Sequence, residues 1–171
     1  TSQGNSGNIR LSVGSSASGF GGNIFVSAGN ATDGPGGIVN LRGGDGYAGG
    51  NLSITSGEGL RDSGGAIDIS AGFSVSGIGA PILLRAGDTD GSEEHGGNIW
   101  INAGDGQALG SRGGDIGVLA GSSQVGDGGT LHMISGSSER ASSGAIFVAS
   151  SNAGRLGVSG SMVLSTGRSL A

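Results

Sequence analysis

The chain has 171 residues and no cysteine, so neither disulfides nor thiolate metal sites can hold its fold. Its net charge is −5 and it has no lysine and no basic block, which makes it a poor ligand for nucleic acid or an anionic membrane surface. Glycine accounts for 42 residues without a period of three, and only two prolines occur, so collagen is excluded.

The chain repeats a unit of about 15 residues. Each unit has two apolar residues separated by one position, usually with a glycine two positions before the first and another five positions after it. The clearest copy is 96–104, in which Ile99 and Ile101 form the pair; Ala80 replaces the first glycine of the sixth unit and Ser151 the second glycine of the tenth. A fixed apolar register argues against disorder, the alternative that so glycine-rich a composition raises. The eleven apolar pairs are Ile9/Leu11, Ile24/Val26, Val39/Leu41, Leu52/Ile54, Ile67/Ile69, Ile82/Leu84, Ile99/Ile101, Ile116/Val118, Leu131/Met133, Ile146/Val148 and Met162/Leu164.

Each apolar pair predicts a short β-strand. Side chains alternate between the two sides of a strand, so Ile99 and Ile101 share one side while Trp100 points to the other. The glycine that follows the strand, Gly104 in this copy, is expected to turn with φ > 0. One strand cannot bury its own apolar side, and the pairs of successive units should therefore stack as a core.

The predicted fold is all-β: a parallel β-solenoid (β-helix) of about eleven 15-residue repeats that forms a single domain over residues 1–171. The linkers between pairs have no regular apolar position, which favours two repeats per coil, with two sheets facing each other across the apolar layer. One repeat per coil remains an alternative. So does an antiparallel meander in which the linkers are hairpin loops, although they are long for that role.

Two linkers contain strings that suggest binding sites. Residues 44–49 match the dinucleotide fingerprint G-x-G-x-x-G, but a predicted strand follows where that site needs a helix, so we reject it. The most acidic linker contains Asp88, Asp90, Glu93 and Glu94. It resembles the glycine-rich turns of calcium-binding repeat toxins but lacks their nonapeptide period, and we predict no metal and no cofactor.

The candidate catalytic residues are few. Without Cys or Lys, a nucleophile would have to be Ser or Thr acting with His95 or His132, which lie 37 positions apart, and no G-x-S-x-G elbow occurs. The sequence therefore predicts that the protein is not an enzyme. No apolar run approaches the ~18 residues of a membrane-spanning helix, so no membrane span is predicted either.

The pattern Gly-Gly-x-Ile-x-Val-x-Ala-Gly with Gly-Ser-Ser linkers resembles low-complexity repeat proteins of microalgae and other microbes. The predicted architecture is similar to that of solenoid antifreeze proteins. These resemblances imply an ice-binding protein or, as the alternative, a structural or adhesive repeat domain of an extracellular coat, fibre or cell surface. They imply secretion, with the ice–water interface or other copies of the chain as partner. The start at Thr1, without methionine or a signal peptide, suggests a processed form or an excised segment.

In the two-repeat winding, the even-numbered units form the flatter face, whose only charges are Arg85 and Asp115. A flat face suits ice because the rung spacing repeats small groups at lattice-like intervals, although no Thr-x-Thr column is present. The predicted ice-binding residues are Asn23, Phe25, Ser27, Asn51, Ser53, Thr55, Leu83, Gly117, Leu119, Ala145, Phe147 and Ala149.

Overall fold

The computed structural model describes Gly4 and residues 6–169. None of these residues lies in an α-helix or a β-strand; they form coil interrupted by turns and bends. The predicted all-β parallel β-solenoid is therefore wrong, whether with one or two repeats per coil. The antiparallel meander fails for the same reason, because it also requires paired strands.

The chain divides into two structural units, Thr1–Leu83 and Leu84–Ala171. The boundary falls inside the sixth apolar pair, between Ile82 and Leu84, and not in a glycine-rich linker, where domain boundaries usually lie. Residues 1–3, 5, 170 and 171 of the predicted single domain lie outside the described residues.

Closed linkers are the recurring feature of Thr1–Leu83. The backbone N–H of the glycine that precedes one apolar pair donates to the backbone C=O of the glycine that follows the previous pair. The N···O distance is 2.9 Å from Gly37 to Gly29, and the bonds from Gly50 to Gly44 and from Gly65 to Gly57 have the same length. The partners are six or eight residues apart, so each bond closes its own linker and joins no two segments into a ladder.

The unit Leu84–Ala171 uses the same closure. Here the N···O distances are also 2.9 Å in each of the bonds Gly97 to Gly87, Gly114 to Gly104, Gly129 to Gly121 and Gly144 to Gly136. The two glycine positions found in the sequence repeat are therefore hydrogen-bond partners across one linker.

Deviations in sequence coincide with deviations in closure. Ala80, which stands in place of the first glycine, donates to Gly72 at the longer distance of 3.4 Å. After the tenth pair, where Ser151 replaces the second glycine, the described residues show no equivalent bond. The repeated glycines therefore matter for closing the linkers.

Close approach explains one of the two glycines in each linker. A Cβ added at Gly37 would lie 3.1 Å from the Ala28 Cβ and 3.2 Å from the Gly29 nitrogen, whereas one added at Gly29 would meet nothing within 4 Å. Positive φ does not explain them: among the described residues the glycines with positive φ are Gly19 and Gly110. The expectation that Gly104 turns with φ > 0 is wrong.

The predicted stacked core is absent from the described residues, none of which is buried. The chain exposes 18100 Å², against about 7,500 Å² expected for a folded protein of 16.2 kDa. Two aliphatic side chains per repeat supply little apolar surface to offset the entropy of ordering a glycine-rich chain. Closing a short linker orders far fewer residues than stacking whole repeats, and it is what the chain does.

Candidate functional site

The apolar pairs keep an alternating exposure even without strands. In the second to eleventh pairs, the first member is 48–59 % exposed. Where the residue between the two members is large and apolar, its exposed fraction is 78–93 %. Those intervening residues are Phe25, Leu83, Trp100, Phe147 and Val163. The two members of a pair thus share the less exposed side of their segment, as the period-two rule requires.

The best-covered position in a repeat is the small residue four positions after the first apolar member. It is half-buried in five repeats, at Ala28, Gly43, Ala86, Ala103 and Ser135. This residue faces the glycine that closes the linker: a Cβ added at Gly97 would lie 3.2 Å from the Ala86 Cβ. The closest packing in the described residues is therefore at the bases of the linkers.

We call the side chains of the apolar pairs the apolar stripe, and treat the stripe of each structural unit separately. In Thr1–Leu83 it consists of the pairs from Ile9/Leu11 to Ile67/Ile69 together with Ile82. In Leu84–Ala171 it consists of Leu84 and the pairs from Ile99/Ile101 to Met162/Leu164. All of these side chains are exposed to some extent, and each stripe therefore faces solvent.

Neither stripe contains a charged residue. The nearest charges are at the alternate positions of the segments, as with Asp68 between Ile67 and Ile69. One of them is paired: the Arg42 guanidinium donates to both carboxylate oxygens of Asp45, at 2.7 Å each. This ion pair is exposed, and such pairs contribute only about 0–1 kcal/mol. The stripes are thus neutral surfaces on a chain of net charge −5.

Hydroxyl groups order several linkers from within. In three linkers a serine Oγ accepts a 2.9 Å hydrogen bond from the backbone N–H three residues later: Ser74 from Gly77, Ser123 from Gly126 and Ser138 from Ala141. Thr89 accepts from Gly91 at 3.2 Å. All four hydroxyl residues lie seven positions after the first apolar residue of their repeat, a recurrence that our sequence analysis missed. Serine and threonine commonly stabilise turns in this way.

No protein-family model, curated protein or solved structure matches the chain. The resemblance to microbial repeat proteins therefore gains no support from relatives. The similarity to solenoid antifreeze proteins is contradicted, because the described residues contain no strand. What the protein does has to be inferred from its own side chains.

The predicted ice-binding residues are all exposed, but they do not form the predicted face. That face required neighbouring strands of one sheet, and no strand links these residues. The exposed residues in question are Asn23, Phe25, Ser27, Asn51, Ser53, Thr55, Leu83, Gly117, Leu119, Ala145, Phe147 and Ala149. The flat solenoid face is a wrong prediction, and with it ice adsorption loses its geometric basis.

The candidate catalytic and metal-binding residues are also exposed. His95 lies in the linker between Gly87 and Gly97, and His132 lies between the members of the ninth pair. The part of the chain that the structure describes contains no pocket. Its His, Asp and Glu side chains nowhere form a group of three or more that could hold a metal ion. Within Gly4 and 6–169, no helix has the length and apolarity of a membrane span.

Proposed function

We propose that the chain is a structural or adhesive repeat segment of a coat, fibre or cell surface, which acts by association through its apolar stripes and not by catalysis. The observation that carries the proposal is the uniform exposure of the first apolar residue, 48–59 % in ten successive repeats. A large exposed apolar surface on a protein is typical of an interaction site.

The magnitudes favour association. Burying a whole Val, Leu or Ile side chain contributes about 1.5–3 kcal/mol, so covering the exposed half of a stripe residue contributes about 1 kcal/mol. Association costs at least about 4 kcal/mol in lost freedom of motion, and often more. A contact between two pairs on each side is too small to be stable, whereas a contact along several repeats exceeds the lower estimate. The repetition of the pair therefore has a physical purpose in binding.

The distribution of charge supports the same function. The acidic residues lie in the linkers or at alternate positions of the segments, outside the stripes. At physiological ionic strength charges are screened over about 8 Å, so linker carboxylates oppose approach only weakly. A surface that meets a stripe has no charge to desolvate there, which would otherwise cost several kcal/mol.

Non-enzymatic action is part of the proposal. The sequence contains neither Cys nor Lys, and its two histidines belong to different repeats. Catalysis by a nucleophile and a base needs both groups within hydrogen-bonding reach, and no such pair occurs among the side-chain hydrogen bonds of the described residues.

Adsorption to defined surfaces tests the proposed function. The purified protein should bind a methyl-terminated monolayer on a quartz-crystal microbalance and bind a hydroxyl-terminated one much less. A variant with Ile67→Ser and Ile69→Ser should adsorb more weakly, and the matched variant Asp68→Ser, on the other side of the same segment, should adsorb as well as the parent. Equal adsorption to the two surfaces, or equal loss in the two variants, would contradict the proposal.

A further inference from the structure

We infer that the partner of each apolar stripe is a second copy of this chain, bound stripe against stripe. The inference rests on the proposed function and names its partner. A second copy presents the same apolar pairs, half exposed, at the same intervals of about 15 residues. Any other protein would have to repeat that spacing to cover successive pairs.

The backbone of the segments supports the inference independently of the side chains. Among the described residues, the backbone-to-backbone hydrogen bonds lie in linkers and turns. The N–H and C=O groups of Ile99, Trp100 and Ile101, for example, make no hydrogen bond within the chain. Unpaired backbone groups along an apolar segment form a template that another chain can pair with. A second copy can thus satisfy backbone groups and cover apolar side chains at the same time.

Charge does not oppose the pairing. Each copy has a net charge of −5, but no stripe position in either structural unit is charged, so stripe against stripe brings no carboxylate opposite another. The alternate side, with Arg10, Arg42 and Asp68 in Thr1–Leu83, would place like charges opposite each other. Copies should therefore associate through the stripe and leave the alternate side in solvent.

The available area is ample. The exposed surface of 18100 Å² exceeds the value for a folded protein of this mass by roughly 10,000 Å². A stable interface between two proteins buries about 1,200–2,000 Å² in total. Two copies can therefore form a standard interface by covering a fraction of the exposed apolar surface.

Thiol protection in single-cysteine variants tests the inference, since the protein has no cysteine of its own. Ile54→Cys places a thiol on the stripe of Thr1–Leu83, and Ser53→Cys places one on the alternate side of the same segment. Ile101→Cys and Asn102→Cys form the corresponding pair in Leu84–Ala171. Each full-length variant is alkylated with iodoacetamide at rising protein concentration, and sedimentation velocity of the parent is recorded over the same range.

We expect the parent to sediment as larger species at higher concentration. The alkylation rate of the stripe thiols should fall about tenfold over that range, and the rate of the alternate-side thiols should change less than twofold. A parent that stays monomeric throughout overturns the inference; adsorption to the methyl-terminated surface would then still leave the proposed function standing. Association that slows both thiols of a pair equally also overturns it, because another surface would then join the copies.

Discussion

Closure of the linkers by paired glycines makes a sharp prediction for Gly37→Ala. The new Cβ would lie 3.1 Å from the Ala28 Cβ and 3.2 Å from the Gly29 nitrogen, closer than ordinary van der Waals contact, so the two sides of the linker must separate by a few tenths of an ångström. The chain contains this substitution naturally at Ala80, whose N···O distance to Gly72 is 3.4 Å instead of 2.9 Å. We expect the bond from residue 37 to Gly29 to lengthen in the same way.

The size of the effect follows from two opposing contributions. Weakening the hydrogen bond costs up to its net value, about 0.5–1.5 kcal/mol. Replacing glycine by alanine also reduces the freedom of the open linker, which favours closure by about 0.4–1 kcal/mol. Gly29→Ala has the second contribution without the first, because its Cβ would meet nothing within 4 Å. The difference between the two variants therefore isolates the steric loss.

Amide hydrogen exchange measured by NMR gives the closure of this linker directly. After correction for intrinsic exchange rates, the N–H of residue 37 should be about 2–10-fold less protected in Gly37→Ala than in Gly29→Ala, as follows from about 0.5–1.5 kcal/mol. Ala80→Gly is the reverse experiment and should raise the protection of the residue 80 N–H. Equal protection in Gly37→Ala and Gly29→Ala would refute the close-approach explanation of the repeated glycines.

Three further outcomes are expected. Ser123→Ala should lower the protection of the Gly126 N–H by about 2–10-fold, because the residue loses a hydrogen-bond acceptor of about 0.5–1.5 kcal/mol. Ile99→Asp should leave the far-UV circular dichroism unchanged, since Ile99 is 48 % exposed and its carboxylate would stay hydrated, but should weaken self-association. Ser53→Tyr and Asp68→Tyr should have equal effects on ice growth in a thermal-hysteresis assay, because no sheet gives either residue a flat face.

Each of these predictions has a control. Ser122→Ala removes the neighbouring hydroxyl and should leave the Gly126 N–H protected. Asn98→Asp adds the same charge beside Ile99 but off the stripe, so its self-association should match the parent's. If Ile99→Asp loses the circular dichroism signal of the parent, the pairs are a core and the exposed stripe is wrong. Thermal hysteresis that Ser53→Tyr abolishes and Asp68→Tyr spares would restore the ice-binding prediction.

Local features could be read from the residues. The register of the pairs, with Ile99 and Ile101 on one side and Trp100 on the other, follows from covalent geometry, and the exposures of the three residues keep that alternation. The two glycine positions were also found, together with Ala80 and Ser151 as their deviations. The turn hydroxyls, such as Ser74, recur at a fixed position and could have been found in the same way.

The sequence by itself determined the period, the apolar stripe and the positions where the chain closes on itself, because each of these depends on residues at most about ten positions apart. Only the tertiary structure decided that the stripes stay in solvent. Stacking of repeats is a non-local equilibrium between burial of two aliphatic side chains per repeat and the entropy of ordering the glycines between them. The periodic pattern is the same whichever side prevails; here closure of Gly37 on Gly29 and of its counterparts took the place of a solenoid core.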